Sequence, residues 1–194
     1  MTTLTSLSPD EAQRLFRVYL DAMSRPGSVH RTNASHAPAA ALPLLTLVDL
    51  MSPVAALDTR VQSATHELLA DVARVTGAPL AQPEQARFAL ALSEPTARSL
   101  EKVSTATAND PHTACVVIQG VEKLGPDAGA TLILSGPGVD GQRYLGVLGL
   151  SSEYFAIRNR MCAHFPAGID LLLVTEDGDV AAIPRSTTVE GSPR

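Results

Sequence analysis

The hydrophobic and polar positions of this chain alternate between helical spacing and strand spacing. At the N-terminal side, Ser8-Pro9-Asp10-Glu11 predicts a capped helix start, because serine caps well and proline suits the first helical position. An apolar face follows at helical spacing, formed by Ala12, Leu15, Phe16, Tyr19 and Met23. Arg25-Pro26-Gly27 is expected to end this helix, and residues 28–37 are expected to be irregular.

Further helices are predicted from the same periodicity over 39–50, over 58–76, from 93 to about 105 and from 151 to about 163. Asp58 is the expected cap of the second of these, and Gly77 lies just past its end. The inward stripe of that helix is predicted to consist of Val61, Ala64, Leu68, Leu69, Val72 and Val75.

Short apolar runs predict strands at 54–57, 88–92, 114–118, 131–134 and 144–148. Two more surround the polar turn Glu176-Asp177-Gly178-Asp179, whose Asp-Gly pair is typical of a tight turn. Asp170 opens the first of these strands, and Pro184-Arg185 follows the second. This arrangement could place opposite charges near each other at one edge of a sheet. The tail after Thr188 is expected to be frayed.

Interleaved helices and strands, followed by several consecutive strands, predict a mixed α/β sheet covered by helices. The 194 residues, of which 45% are apolar, suit a single domain over 1–194 with a core from about 8 to 188.

Charge and hydropathy exclude some classes of protein. The net charge is −5, with two lysines and no basic stripe, so nucleic-acid binding is not expected. The apolar run from Ala39 is interrupted by Pro43, Asp49 and Pro53, and is therefore not expected to span a membrane. No signal-peptide pattern opens the chain, so we expect a soluble, cytoplasmic protein.

The reactive residue types show no self-sufficient catalytic arrangement. Cys115 and Cys162 lie in apolar surroundings and are expected to be buried thiols, with a disulfide as the alternative. The five histidines show no metal-ligand spacing, so no metal site is predicted. Gly136-Pro137-Gly138 fits a turn better than a phosphate loop, because proline lacks the donor N–H that a phosphate cradle uses.

Four residues remain as candidates for a binding site or an interface: Arg25, Gly27, Asp170 and Arg185. Asp170 either contacts a ligand or partner, or is a strand-end acid that reaches solvent or nearby backbone N–H groups. Arg185, followed by Ser186-Thr187-Thr188, either binds a phosphonate or triphosphate oxygen or forms a salt bridge or surface arginine. Arg25 and Gly27 belong either to a rigid helix stop or to an anion site.

An ordered set of motifs resembles one known family. FPAGIDLLLV at 165–174 and AIPRSTTVE at 182–190 are similar to the signature of the H subunit of the bacterial carbon–phosphorus lyase system, which degrades organophosphonates. The segment FRVYLDAMSRPG at 16–27 resembles the opening helix of that family, and QPEQARF at 82–88 resembles its mid-chain loop. The chain departs from the family at Ala106, where glycine is frequent, which puts a positive φ or a close backbone approach there in doubt.

The resemblance implies a three-layer α/β/α sandwich, similar to pyridoxal-phosphate-dependent transferases but without the cofactor. It also implies a non-catalytic subunit of the carbon–phosphorus lyase core complex. That subunit would support ATP-dependent formation of ribose-1-phosphonate 5-triphosphate beside subunits of the G, I and J types. A homodimer is expected for the isolated chain. The helix at 39–50 and the short edge strands are either interface or core elements.

The alternative is a stand-alone small-molecule enzyme of the pyridoxal-phosphate type that uses the cleft of the sandwich. Such an enzyme needs a lysine for the Schiff base, usually desolvated. Lys102 follows Glu101 on a polar stretch, and Lys123 precedes Gly125-Pro126 at a strand end. Neither lysine is framed by a glycine-rich phosphate cradle, so no cofactor is expected.

Overall fold

The structure is a computed structural model that describes residues 4–33, 37–58 and 63–191. The helices are α1 (Pro9–Ser24), α2 (Leu42–Leu47), α3 (Ala64–Thr76), α4 (Ala97–Leu100) and α5 (Ser152–Met161). The strands are β1 (His30–Arg31), β2 (Val54–Ala56), β3 (Phe88–Ala91), β4 (Val116–Val121), β5 (Lys123–Leu124), β6 (Ala130–Ser135), β7 (Arg143–Leu148), β8 (Asp170–Thr175), β9 (Asp179–Ile183) and β10 (Thr188–Glu190).

The strands form two sheets. The larger is mixed, with the order β1-β9-β8-β4-β3-β2, in which β2, β3, β4 and β8 are parallel and β9 and β1 are added antiparallel. The smaller is antiparallel, with the order β10-β6-β7-β5. The predicted α/β class and mixed sheet are therefore confirmed, and the separate antiparallel sheet is an addition that the sequence pattern did not predict.

Successive side chains along the strands of the large sheet point to opposite faces, and each face carries one apolar cluster. On one face, Val54, Leu90 and Ile118 pack with buried side chains of α1, α2 and α3. On the other face, Val117 and Leu171 pack with α4, α5 and the inner face of the small sheet. Both faces are covered, which explains why β8 is buried along its whole length and reads as a continuous apolar run.

The start of helix α1 is as the local capping signals predicted. Ser8 accepts a hydrogen bond from the N–H of Glu11 at 3.4 Å, and Pro9 opens the helix. The predicted apolar face is only partly correct, because Leu15 and Tyr19 are buried but Phe16 is 48% exposed. Phe16 directly follows Leu15 and therefore points about 100° away from it around the helix axis, outside the face that contacts the sheet.

Several predicted boundaries are wrong. The helix expected over 39–50 is a 3-10 turn (Ala39–Ala41) followed by α2, which ends where Val48 becomes extended. Ser63 rather than Asp58 caps α3, accepting from the N–H of His66 at 3.4 Å. The predicted stripe residue Val61 lies outside the described residues.

Other differences occur in short elements. The helix expected from 93 to about 105 is limited to the single turn α4, capped by Thr96. The region 28–37 contains the short strand β1, and the tail predicted to fray after Thr188 instead forms β10, which pairs with β6. Both of these strands pair with segments far along the chain, which no local sequence pattern indicates.

Ala106 has a positive φ of 63°, so the doubt about a positive φ at this position was wrong. A left-handed conformation costs an L-residue roughly 1–2 kcal/mol. Glycine avoids this cost, but the greater backbone entropy of glycine in the unfolded chain offsets part of the gain. We therefore expect Ala106→Gly to stabilise the fold by about 0.5–1 kcal/mol in urea unfolding. Ala73→Gly, inside α3, is the control and should destabilise by about 1 kcal/mol. Destabilisation by Ala106→Gly would contradict this reading.

Candidate functional site

Asp170 and Arg185 form a bidentate ion pair at one end of the large sheet. The Nη2 of Arg185 lies 2.7 Å from Oδ2 of Asp170, and its Nε donates to both carboxylate oxygens at 3.2 Å. The backbone N–H of Arg185 also donates to Oδ1 at 2.7 Å. Asp170 is 8% exposed, so it does not reach solvent, but it does accept from a backbone N–H, as the second form of that alternative predicted.

The hairpin formed by β8 and β9 brings the two residues together. Leu171, at the start of β8, lies opposite Ile183, at the end of β9, which places Asp170 beside the segment that follows β9. The opposite charges therefore meet as the sequence suggested. They do not lie at a sheet edge, because β8 is an internal strand between β4 and β9.

The remaining donors of Arg185 are directed at backbone oxygens. Its Nη1 donates to the carbonyl of Pro111 at 2.8 Å and to that of Pro166 at 3.4 Å. A shallow hollow of about 620 Å³ lies beside it, lined by Pro111, His112, Pro137, Phe165, Pro166, Asp170, Arg185 and Ser186. The guanidinium is thus used to hold three chain segments together, since its hydrogen bonds connect Pro111, Pro166 and Asp170.

Arg25 and Gly27 lie in the turn after α1 and do not contact the Asp170–Arg185 pair. Arg25 forms an exposed ion pair with Asp21 at 3.2 Å. Gly27, with φ of 76°, donates its N–H to the carbonyl of Ala182 at 3.0 Å, near the end of β9. A Cβ at Gly27 would lie 2.5 Å from a methyl carbon of Leu134, so glycine allows close packing there.

Arg158 is a buried arginine that the sequence reading did not identify. It is 1% exposed, lies on α5, and donates through Nη1 to the carbonyl of Thr187 at 2.7 Å and through Nη2 to that of Pro184. Burial lowers the pKa of Arg158, and the nearby Cys162 and Asp170 act in the opposite direction. The available signal was its spacing of four residues from Tyr154, which puts both on the inward side of α5.

The two cysteines are free thiols, so the alternative of a disulfide is wrong. Cys115 is fully buried, as predicted. Cys162 is partly exposed, so the prediction of a buried thiol is wrong for this residue. Burial, with a smaller contribution from Asp170, raises the pKa of Cys115 to about 12 from its usual 9.0. The thiol of Cys115 is thus kept neutral and has little nucleophilic character.

This environment predicts different reactivities for the two thiols. At pH 8, iodoacetamide should modify Cys162 faster than Cys115, and both should react readily in denaturant, as measured by mass spectrometry. The neutral thiol of Cys115 contributes stability that is fully present below pH 9 and is lost as the pH rises towards about 12. Equal rates for the two thiols in the folded protein would contradict the buried position of Cys115.

Both lysines are on the surface. Lys102 lies 3.8 Å from Glu84 in an exposed ion pair, and the Nζ of exposed Lys123 contacts the carbonyl of Asp127 at 3.5 Å. Both side chains are exposed, whereas a Schiff-base lysine is usually buried.

A cleft of about 1000 Å³ lies at the opposite end of the large sheet, where the parallel strands β3, β4 and β8 reach their carboxyl ends. We call it the carboxyl-end cleft, and its lining residues are Ala37, Pro38, Ala39, Ala40, Leu68, Leu92, Ser93, Glu94, Gly120, Val121, Glu122, Gly149, Val174, Thr175 and Glu176. In open α/β sheets this end of the strands is the usual place for binding. The sequence reading named none of these residues as a binding site.

The described residues contain neither a metal-binding cluster nor a membrane-spanning helix. In residues 4–33, 37–58 and 63–191, no group of three or more histidine, cysteine, aspartate or glutamate residues could hold a metal ion. No helix in that described part of the chain is both long and apolar enough to cross a membrane.

These features define an α/β protein with a mixed sheet, in which Arg158 and Arg185 hold chain segments together and a cleft lies at the carboxyl ends of the parallel strands. The model of the family described as bacterial phosphonate metabolism protein (PhnH) matches residues 6–190. The chain belongs to this family, which confirms the resemblance to the H subunit seen in the sequence.

Two curated relatives match along most of their length. A Stutzerimonas stutzeri protein named as a C-P lyase subunit, HtxG, is 34% identical over 183 residues, covering 91% of this chain and 85% of the relative. The alpha-D-ribose 1-methylphosphonate 5-triphosphate synthase subunit PhnH of Rhizobium meliloti (strain 1021) is 29% identical over 187 residues, covering 93% of this chain and 90% of the relative.

Proposed function

We propose that this chain is a non-catalytic subunit of a carbon–phosphorus lyase core complex in organophosphonate catabolism. In that complex it would support the ATP-dependent formation of ribose-1-phosphonate 5-triphosphate, beside cytoplasmic subunits of the G, I and J types. The observation that carries the proposal is the family match over residues 6–190, together with two relatives that are named as subunits of such a system.

The state of the reactive groups supports a non-catalytic role. Arg185 directs its donors at Asp170 and two carbonyls, which leaves little of its guanidinium for a phosphonate. Cys115 is a buried neutral thiol, and Lys102 is an exposed, paired cation. Each of these groups therefore holds the fold together or faces solvent, and none is activated for chemistry.

The surface supports a role in assembly. Large apolar side chains are exposed on α1, after α2, on the small sheet and beside the ion pair, namely Phe16, Leu20, Leu50, Met51, Tyr144, Leu148 and Phe165. Burying such side chains against other proteins is favourable. The short helix α2 itself is core, because Leu42 and Leu44 are fully buried, whereas Leu50 and Met51 beyond it are 71% and 84% exposed.

We propose that the chain forms one domain with a core over about 8–188, and that its layers correspond to the sandwich of pyridoxal-phosphate-dependent transferases without the cofactor. Isolated, it would form a homodimer. Sedimentation of the purified chain should give a dimer mass at micromolar concentration, and a monomer under those conditions would contradict this part.

The alternative of a stand-alone pyridoxal-phosphate enzyme is tested by absorbance. Our proposal predicts no internal-aldimine band after pyridoxal phosphate is added to the purified chain and excess is removed. The alternative predicts a band that disappears in Lys102→Ala or in Lys123→Ala. Because both side chains are exposed, neither substitution should affect folding, which circular dichroism can check.

A further inference from the structure

We infer that the carboxyl-end cleft receives a segment of a partner subunit, and that this segment carries an apolar side chain flanked by lysine or arginine. The inference rests on the proposed function, because it assumes that the chain works inside a complex. It adds the surface that makes the contact and the chemistry of the segment that fills it.

The walls of the cleft are apolar. Leu68 of α3 faces Leu92, Val121 and Val174 at the ends of three strands, and the alanine-rich segment 37–40 closes one side. The volume of about 1000 Å³ is at the upper limit of ordinary small-molecule pockets. Leu68 and Leu92 are partly exposed, so an apolar side chain entering from a neighbouring protein would remove them from water, whereas Val121 and Val174 are already buried.

All the charged residues that line the cleft are negative. Glu94, Glu122 and Glu176 are its charged lining residues, and its described lining includes no lysine, arginine or histidine. Exposed Glu122 and Glu176 have no ion-pair partner within the part of the chain that the structure describes. This charge favours a cationic occupant and disfavours a phosphonate, a triphosphate or an acidic segment.

Two polar lining residues, Thr175 and Glu94, already form hydrogen bonds within the chain, which argues against a small polar ligand. Oγ1 of Thr175 accepts from the N–H of Asp179 at 3.0 Å. Both carboxylate oxygens of Glu94 accept from Ser151, one from its N–H at 2.7 Å and one from its hydroxyl at 2.5 Å. A small ligand is normally oriented by a few convergent free polar groups. The carboxylates of Glu122 and Glu176 are exposed, so flanking basic residues of a polypeptide would meet them.

The first test is a charge reversal, Glu122→Lys with Glu176→Lys. The affinity of the purified double variant for a preassembled complex of the G, I and J type subunits should fall at least tenfold below that of the wild type. The wild-type affinity should also fall more steeply with salt than that of the variant. The control is Glu153→Lys, an exposed glutamate outside the cleft, which should bind like the wild type.

The second test identifies the occupant. A photo-crosslinking amino acid replaces Leu68 inside the cleft or, as control, Glu153, and the crosslinked partner peptide is read by mass spectrometry. We expect a single peptide, with an apolar residue flanked by lysine or arginine, from position 68 only. An acidic peptide, or none, overturns the inference. Unchanged affinity of a folded double variant also overturns it but leaves the proposed function intact, whereas a wild-type chain that binds no complex overturns both.

Discussion

Asp170→Ala is expected to destabilise the fold by about 3 kcal/mol, because it leaves Arg185 half-buried without its carboxylate. The same change removes the acceptor for the backbone N–H of Arg185. The guanidinium would then keep only its hydrogen bonds to the carbonyls of Pro111 and Pro166. The measurement is the free energy of unfolding in urea.

A second ion pair on the same sheet provides the matched control. Arg31 and Asp179 lie 2.8 Å apart between β1 and β9, but both side chains are more exposed than those of the Asp170–Arg185 pair. Asp179→Ala should therefore cost at most about 1 kcal/mol. Asp170→Asn keeps an acceptor and should cost less than Asp170→Ala. Equal losses for Asp170→Ala and Asp179→Ala would show that the buried pair has no special role.

Arg158→Leu is expected to cost about 3 kcal/mol, since it deprives two carbonyls of their donors at a site that is 1% exposed. The carbonyls of Pro184 and Thr187 belong to the segment that connects β9 with β10, so that segment should also be cleaved faster in limited proteolysis. Arg158→Lys should not restore stability, because an ammonium cannot reach two diverging carbonyls in the manner of a guanidinium.

The control for Arg158 lies on the same helix. Arg160 forms an exposed ion pair with Glu101 at 2.9 Å, so Arg160→Ala should change stability by less than about 1 kcal/mol. The account of Arg158 would be wrong if Arg158→Leu left both the unfolding free energy and the cleavage of residues 184–190 unchanged.

Local signals allowed the long elements of the fold to be predicted. Helix α1 has its cap and its proline within its own first turn, and β8 with β9 is a hairpin closed by a short turn. Strands β1, β5 and β10 could not be predicted in this way, because they are only two or three residues long and pair with distant segments. His30 in β1, for example, lies opposite Val180 in β9.

The candidate functional residues, too, could be predicted only where the sequence signal is local. The meeting of Asp170 with Arg185 followed from the hairpin alone, since each lies at its open end. The carboxyl-end cleft is built from the ends of three parallel strands and the segment 37–40, so no local pattern marks it. Arg158 was missed because its partners are backbone carbonyls, which carry no side-chain signal in the sequence.

The central claim is that this protein works by presenting a folded surface to companion subunits. It is tested most directly by incubating the purified chain with methylphosphonate and ATP, alone and with the G, I and J type subunits, and following product by phosphorus NMR. We predict no conversion by the isolated chain and conversion when all the subunits are present. Conversion of the phosphonate by the isolated chain, free of the other subunits, would contradict the account.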